Sequence, residues 1–310
     1  MRRRTVLTAV LALTAAGAAV ARPALGSPGL EHGSATTPSV RSGTTPIPAQ
    51  SREPSPTPSP SAAPTTEPPV SVRDLTVTVP ATPFFGWALL DRRTGEIGGS
   101  ANMATGTNTT ESMIKVWIVG DYLRRLGTRQ PSAADLAELS EVIVHSDDDG
   151  AETYYRRGGT NAVVQRMISI CGLTGTTVYP YWWSRTTMTP LDAVRLGACV
   201  ADGRAAGAWT PWLLEQMRAV QGGVAQQQAT SGGGRWGVID GLPPALAART
   251  AIKNGWTPIG ADGLWHVDNL AISDTWVLAV MVRYPIGAGL QYGADICSSV
   301  ARQLSPALAA

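Results

Sequence analysis

Apolar and polar positions change their period twice along this chain of 310 residues. Order is expected to begin near Leu75. Val77, Val79 and then Phe84 to Asp91 alternate as a strand does, and Arg92-Arg93-Thr94-Gly95 reads as a hairpin turn into Glu96 to Gly98. The middle of the chain then shifts to helical spacing. Ser112 to Leu126, Ala133 to Val144, Asp149 to Arg156, Asn161 to Cys171, Pro190 to Ala201 and Pro211 to Val220 each carry apolar residues on one helical face. After the glycine-rich stretch Ser231 to Gly234, strand character returns in Arg249 to Trp256, Leu264 to Ile272 and Thr275 to Tyr284, before a last helix from Leu290 to Leu304. Strands, then helices, then strands predict an α+β fold whose sheet is assembled from both chain ends.

The segment before this domain has a different character. Arg2, Arg3 and Arg4 precede an apolar run from Val6 to Val20, and Ala19-Val20-Ala21 supplies small residues at a cleavage site, so residues 1–26 read as an export signal. The run is shorter than the ~20 residues that span a bilayer, so no stable membrane insertion is expected after cleavage. The arginine pair is compatible with the twin-arginine route as well as the general one. No cysteine lies near the cleavage region to carry a lipid. Residues 27–74 are rich in Pro, Ser and Thr, as in Pro54-Ser55-Pro56-Thr57-Pro58-Ser59-Pro60, and are expected to form a disordered linker. Residues 75–310 are expected to form one catalytic domain, with a monomer expected.

Composition narrows the function. The formal net charge of +2 includes the three N-terminal arginines, so the remainder offers no basic stripe and no nucleic-acid partner is expected. Cys171, Cys199 and Cys297 form an odd set in a secreted chain, which predicts one disulfide and one leftover thiol without saying which two pair. Asp147, Asp148 and Asp149 are contiguous, not alternating as a calcium loop requires, and no Cys/His spacing suggests zinc. No metal and no cofactor are expected. There is no G-x-S-x-G, and His32, His145 and His266 lie apart in the chain, so a Ser-His-Asp triad is not indicated.

The chemistry is signalled by a scarcity. Of 25 Lys plus Arg residues only Lys115 and Lys253 are lysine. Arginine stays charged at any working pH, whereas a desolvated lysine can lose its proton and serve as a base. Ser112-Met113-Ile114-Lys115 is S-x-x-K at a helix start, a spacing that puts both side chains on one face beside unpaired backbone N–H groups. Ser112 is the expected nucleophile and Lys115 its activating base. Ser146-Asp147-Asp148, between two helices, supplies a relay hydroxyl, and Lys253-Asn254-Gly255 lies on a strand whose glycine admits a close approach of substrate. The Trp256 N–H is expected to be the second oxyanion donor beside that of Ser112.

S-x-x-K, S-D-N and K-T-G in that order mark class A β-lactamases and penicillin-binding proteins, and the chain resembles that superfamily from about Leu75 to Leu304. The resemblance implies an antiparallel sheet flanked by helices, an all-helical subdomain, and a cleft where the motifs meet. It implies Ser112 as the acylated nucleophile, Lys115 as base or shuttle, Ser146 as relay and Lys253 as the charge facing a substrate carboxylate. Asp148, Asn254, Gly255 and Trp256 are the implied substrate contacts, with Asp148 standing where the family has Asn and Asn254 where it has Thr or Ser. Thr186-Thr187-Met188 with Pro190 looks like the segment after the omega loop of class A enzymes. The omega segment itself, Gly172 to Arg185, departs from the family because it contains no acid; Tyr179, Tyr181, Trp182 and Trp183 crowd it instead, either lining the cleft or packing on the core.

The expected function is therefore a secreted or cell-wall-associated serine hydrolase that forms an acyl-enzyme on Ser112 with β-lactams or the D-alanyl peptides of the cell wall, with slow deacylation. The alternative is a module that binds cell-wall peptide without turnover on the same scaffold.

Overall fold

The computed structural model describes residues 71–226 and 233–309. The predicted signal and nearly all of the predicted linker lie outside them. Five antiparallel strands form the main sheet: β1 (Phe84–Asp91), β2 (Ile97–Gly99), β5 (Ala251–Ile259), β6 (Leu264–Ile272) and β7 (Trp276–Pro285), in the order β2-β1-β7-β6-β5. The two chain ends meet at its centre, where Phe84 to Asp91 pair with Arg283 to Trp276. Buried Val, Leu and Ala along β7 explain that position, since a strand covered on both faces needs apolar residues on both. Val77 and Val79 do not pair as strand. Order instead reaches back to a short turn, Val72–Asp74, whose Val72 is buried against β2.

One face of the sheet carries the C-terminal helix Gly289–Ala309, and the other carries α5 (Pro190–Ala201). α5 starts cleanly because Thr189 caps it and Pro190 occupies its first turn. The helical layer beside it comprises α1 (Lys115–Leu126), α2 (Ala133–Val144), α3 (Asp148–Arg157), α4 (Asn161–Cys171) and α6 (Thr210–Arg218). α2 opens with a capping box between Ser132 and Asp135, and α4 ends at Gly172 in the left-handed region. A small two-stranded sheet, β3 (Asn108–Thr109) with β4 (Thr187–Met188), ties the segment before Ser112 to the end of the omega-like loop.

That loop is anchored from below. Asp192 is fully buried and accepts from the N–H of Thr174 and Gly175 and the hydroxyl of Thr176. Cys171, just before the loop, is disulfide-bonded to Cys199 of α5, while Cys297 is a buried free thiol. Among the described residues no helix is long and apolar enough to cross a membrane.

Candidate active site

β5 is an edge strand, so one row of its backbone groups has no strand partner. A tight turn, Glu111–Ile114, packs against that edge and runs straight into α1. Gly255 makes the approach feasible: a Cβ there would lie 2.8 Å from the Thr110 carbonyl oxygen and 2.9 Å from the Ser112 nitrogen. The close approach that this glycine admits is that of the Thr110–Ser112 backbone. Glu111, just before Ser112, is held at φ +43°, and Ser146, between α2 and α3, at φ +59°. Left-handed conformations of this kind cost ~1–3 kcal/mol each in residues with side chains and cluster at functional sites.

Between the turn, α3 and the omega-like loop lies a cleft of about 380 Å³, lined by Ser112, Ser146, Asp148, Glu152, Trp183 and Trp256 among others. Behind it sit both lysines, each wholly excluded from solvent. Lys115 Nζ donates to the Ser146 carbonyl at 2.5 Å, to Ser146 Oγ at 3.1 Å and to Asp148 Oδ1 at 2.5 Å. Three acceptors match the three donors of an ammonium. Lys253 Nζ meets Ser146 Oγ at 2.8 Å. Among the described residues neither lysine donates to the Ser112 hydroxyl, although Ser112 opens onto the same cleft.

The electrostatics separate the two amines. Burial lowers the pKa of Lys115, and the Asp148 carboxylate opposes that shift. Burial drives Lys253 well below the ordinary lysine range, and the neighbouring Lys115 charge pushes it the same way. A pair of cations crowded around one hydroxyl with one carboxylate in contact resolves by neutralising the amine that lacks the carboxylate.

The remaining expected residues divide. Asp148 and Trp256 line the cleft. Asn254 does not: its side chain is buried and donates to the backbone carbonyls of Gly234 and Trp236 at 2.6 and 2.8 Å. Adjacent strand positions point to opposite faces, and Asn254 is spent on fastening the loop before β5. Lys253 is closed to solvent, and its amine contacts Ser146. Of the loop aromatics, Trp183 is buried; its indole N–H donates to Glu152 and its ring lies 5.3 Å from Lys115 Nζ. Tyr179, Tyr181 and Trp182 are half or more exposed, so packing on the core describes only Trp183.

Beyond Asp148, sequence reading missed the carboxylates of the cleft. The omega-like segment is acid-free, yet α3 presents Asp149 and Glu152 beside Asp148 from across the opening, and Glu111 also lines it. The four-residue step from Asp148 to Glu152 on a helix was the available signal. Glu111 is 3% exposed and accepts from the hydroxyls of Thr109 and Thr257 at 2.7 and 2.6 Å. Burial raises its pKa.

Among solved structures the chain is similar to "Structure of PBP-A", with a TM-score of 0.55 at 16% identity over 73% of this chain and 90% of that one. It is also similar to the class A β-lactamase from Mycobacterium abscessus, with a TM-score of 0.53 at 16% identity over 73% of this chain and 94% of the other. The chain has the fold of class A β-lactamases and PBP-A. On that β-lactamase-like fold the S-x-x-K serine lies on the turn into α1, and the K-T-G-like lysine on the edge strand β5. No family model matches. Curated proteins named "Putative lipoprotein LppW", from Mycobacterium tuberculosis and Mycobacterium bovis, are 31% identical over 176 residues, which is 54% of this chain and 52% of theirs. The chain thus spans about half the length of the curated relatives it matches.

Proposed function

We propose that the protein is an extracytoplasmic serine acyl-hydrolase that forms an acyl-enzyme on Ser112 with β-lactams or with the D-alanyl cell-wall peptides they mimic. The observation that carries this reading is the placement of the Ser146 hydroxyl between two buried lysine amines, at 3.1 and 2.8 Å, on the wall of the cleft that holds Ser112. Two desolvated amines around one hydroxyl are costly for stability alone and are what proton transfer requires.

The geometry suggests a division of labour between the lysines that differs from the expected one. Lys115, with its three acceptors, acts as a fixed ammonium that orients Ser146. Lys253, the amine without a carboxylate contact, is the base. Ser112 passes its proton to Ser146 Oγ while Ser146 passes its own to Lys253, and Ser112 Oγ bonds the substrate carbonyl carbon. The oxyanion then rests against the N–H groups of Ser112 and Trp256, on the free edge of β5. Cleavage of the C–N bond returns the proton through Ser146 to the leaving nitrogen. The "lipoprotein" in the relatives' name supports the extracytoplasmic placement.

Incubation with a reporter cephalosporin, followed by intact mass, tests the reading: the parent gains one adduct and Ser112→Ala gains none. A parent that neither gains mass nor releases colour refutes it. A second reading, a peptide-binding module without turnover, is favoured by the Asp148 lock on Lys115 and the inward turn of Asn254. It predicts calorimetric binding of a D-alanyl peptide with no adduct.

A further inference from the structure

The acid immediately before the nucleophile is not isolated. From Glu111 a continuous chain of hydrogen-bonding groups runs away from the cleft. Glu111 Oε1 meets Thr109 Oγ1 at 2.7 Å, Thr109 Oγ1 meets His266 Nδ1 at 2.9 Å, and His266 Nε2 meets Asp262 Oδ2 at 2.8 Å. In the other direction, Glu111 Oε2 meets Thr257 Oγ1 at 2.6 Å, and Thr257 itself lines the Ser112 cleft. The far end opens into a second hollow of about 410 Å³, lined by Thr109, Asp262 and His266 together with Trp182 and Arg185. Trp182 is shared by both cavities. The chain therefore has one end in the reaction cleft and one at solvent, where Asp262 is 40% exposed.

Counting protons along this chain leaves two arrangements on the same heavy atoms. In one, His266 is an imidazolium that donates to Asp262 and to Thr109, and Thr109 donates to a Glu111 carboxylate. In the other, His266 is neutral with its proton on Nε2, Thr109 donates to Nδ1, and a protonated Glu111 donates to Thr109. The two hold the same number of protons and differ only by a hop through the Thr109 hydroxyl. A rotating hydroxyl between two titratable groups is the element that lets a proton pass without any heavy atom moving.

We propose that Thr257, Glu111, Thr109, His266 and Asp262 form a proton relay that takes the proton of the water hydrolysing the Ser112 acyl-enzyme and carries it to the second hollow. The proposal rests on the acyl-enzyme reading above. It supplies what the acid-free omega segment lacks, from the opposite side of the nucleophile. In the step, the water oxygen bonds the acyl carbon and one water proton enters at Thr257, which passes its own to Glu111 as Glu111 passes one through Thr109 to His266. The acyl–Oγ bond breaks, and Ser112 Oγ takes the Ser146 proton as Ser146 takes one from the Lys115 ammonium. Solvent restores that proton by way of Ser146, which lines the cleft, and the relay releases one at Asp262. One water is consumed, and the carboxylic acid and free serine form.

The charges around the relay come from every packed element. Glu111 faces Asp268 of β6, Asp148 of α3 and Arg185 of the loop, and burial raises its pKa. His266 faces Asp262, Arg185 and Arg283 of β7, and burial lowers its pKa. Burial thus acts on both groups in the direction of neutral His266 with protonated Glu111, against the imidazolium–carboxylate arrangement.

Glu111→Gln keeps the shape and cannot exchange a proton as an acid, and Thr109→Val keeps the volume and cuts the hop. Acylation and deacylation of a reporter β-lactam are followed separately by intact mass from pH 5 to 9. Positioned acid–base groups contribute ~10²–10⁴-fold, so in both variants deacylation is expected to slow at least about thirtyfold more than acylation, with a flattened deacylation pH profile. Parental deacylation with a parental profile in Thr109→Val overturns the relay while leaving the acyl-enzyme reading intact. A parent that never forms an adduct removes that reading and, with it, the assigned step. The wire is also read without substrate in the ¹⁵N shifts of the His266 ring. The parent is expected to show the Nε2–H tautomer with Nδ1 accepting. A His266 ring insensitive to Thr109→Val shows that the hydrogen bond does not exist and overturns the relay by itself.

Discussion

Asp148 Oδ1 lies 2.5 Å from Lys115 Nζ, a carboxylate on an amine that is otherwise closed to solvent. The Asp148 carboxylate acts on Lys115 against burial, which lowers the pKa of that amine.

Asp148→Asn removes that charge. The sign follows directly: Asp148 raises the pKa of both lysines, so its loss lowers both and increases the neutral fraction at a given pH. The acid limb of the acylation pH profile is expected to move down by about 1 unit, the low end for loss of an adjacent opposite charge because Asp148 is largely exposed. Stopped-flow acylation with a reporter β-lactam across pH measures this. A limb that stays in place means that Asp148 does not set the lysine charge.

The two lysines respond differently to replacement by arginine, which keeps the charge and cannot give it up. Lys253→Arg is expected to lower the acylation rate by ~10²–10⁴, the range for loss of a general base. Lys115→Arg keeps the ion pair with Asp148 and is expected to lose less. Circular dichroism establishes that both fold. Equal losses, or a greater loss at Lys115, reassign the base.

The Cys171–Cys199 bond closes a loop with a sequence separation of 28. Loop-closure entropy for that length is about 3.6 kcal/mol, so Cys199→Ser is expected to lower stability by roughly 3–4 kcal/mol in urea titrations. Because the bond brackets the loop that places Trp183 beside Lys115, the variant is also expected to quench or shift tryptophan emission before global unfolding.

Asp268 is wholly buried, accepts from Asn108, and has its second oxygen without a partner among the described residues. Burial raises its pKa well above the ordinary carboxylate value, and the Glu111 charge adds to the shift. A carboxyl that binds its proton more tightly when folded stabilises fully below its unfolded pKa, and that stability is lost as pH rises through the folded one. Within that window the slope reaches about 1.4 kcal/mol per pH unit. Asp268→Asn is expected to flatten this decline, giving a variant more stable than the parent at pH 8 and no more stable at pH 4. Parallel urea curves at the two pH values decide it.

Much of the fold was written in local periodicity. Ala133–Val144, Asn161–Cys171, Pro190–Ala201 and Leu264–Ile272 fall where spacing, caps and glycine stops set them. Lys115, Ser146 and Lys253, one from each motif, lie within hydrogen-bonding distance of one another through the Ser146 hydroxyl. What local pattern could not carry was contact across the chain. Glu111 looks like any polar residue until β5 and β3 close over it, through Thr257 at a separation of 146 residues and Thr109 beside it. Asn254 shows the converse: its motif position implied the cleft, while the pleat and the Gly234 and Trp236 carbonyls drew it inward. The approach of the Thr110–Ser112 backbone to Gly255 is likewise a contact between distant parts of the chain.

The chain has only two lysines, and both are sealed inside the fold. Amine-selective reagents therefore find no side-chain target on the folded surface of this protein. Acetic anhydride or a succinimidyl ester applied to the native state should spare both ε-amines, and each will appear in the mass spectrum only when the cleft or the whole domain opens. The protein thus carries its own footprinting probe, two buried amines whose labelling reports the breathing of the site.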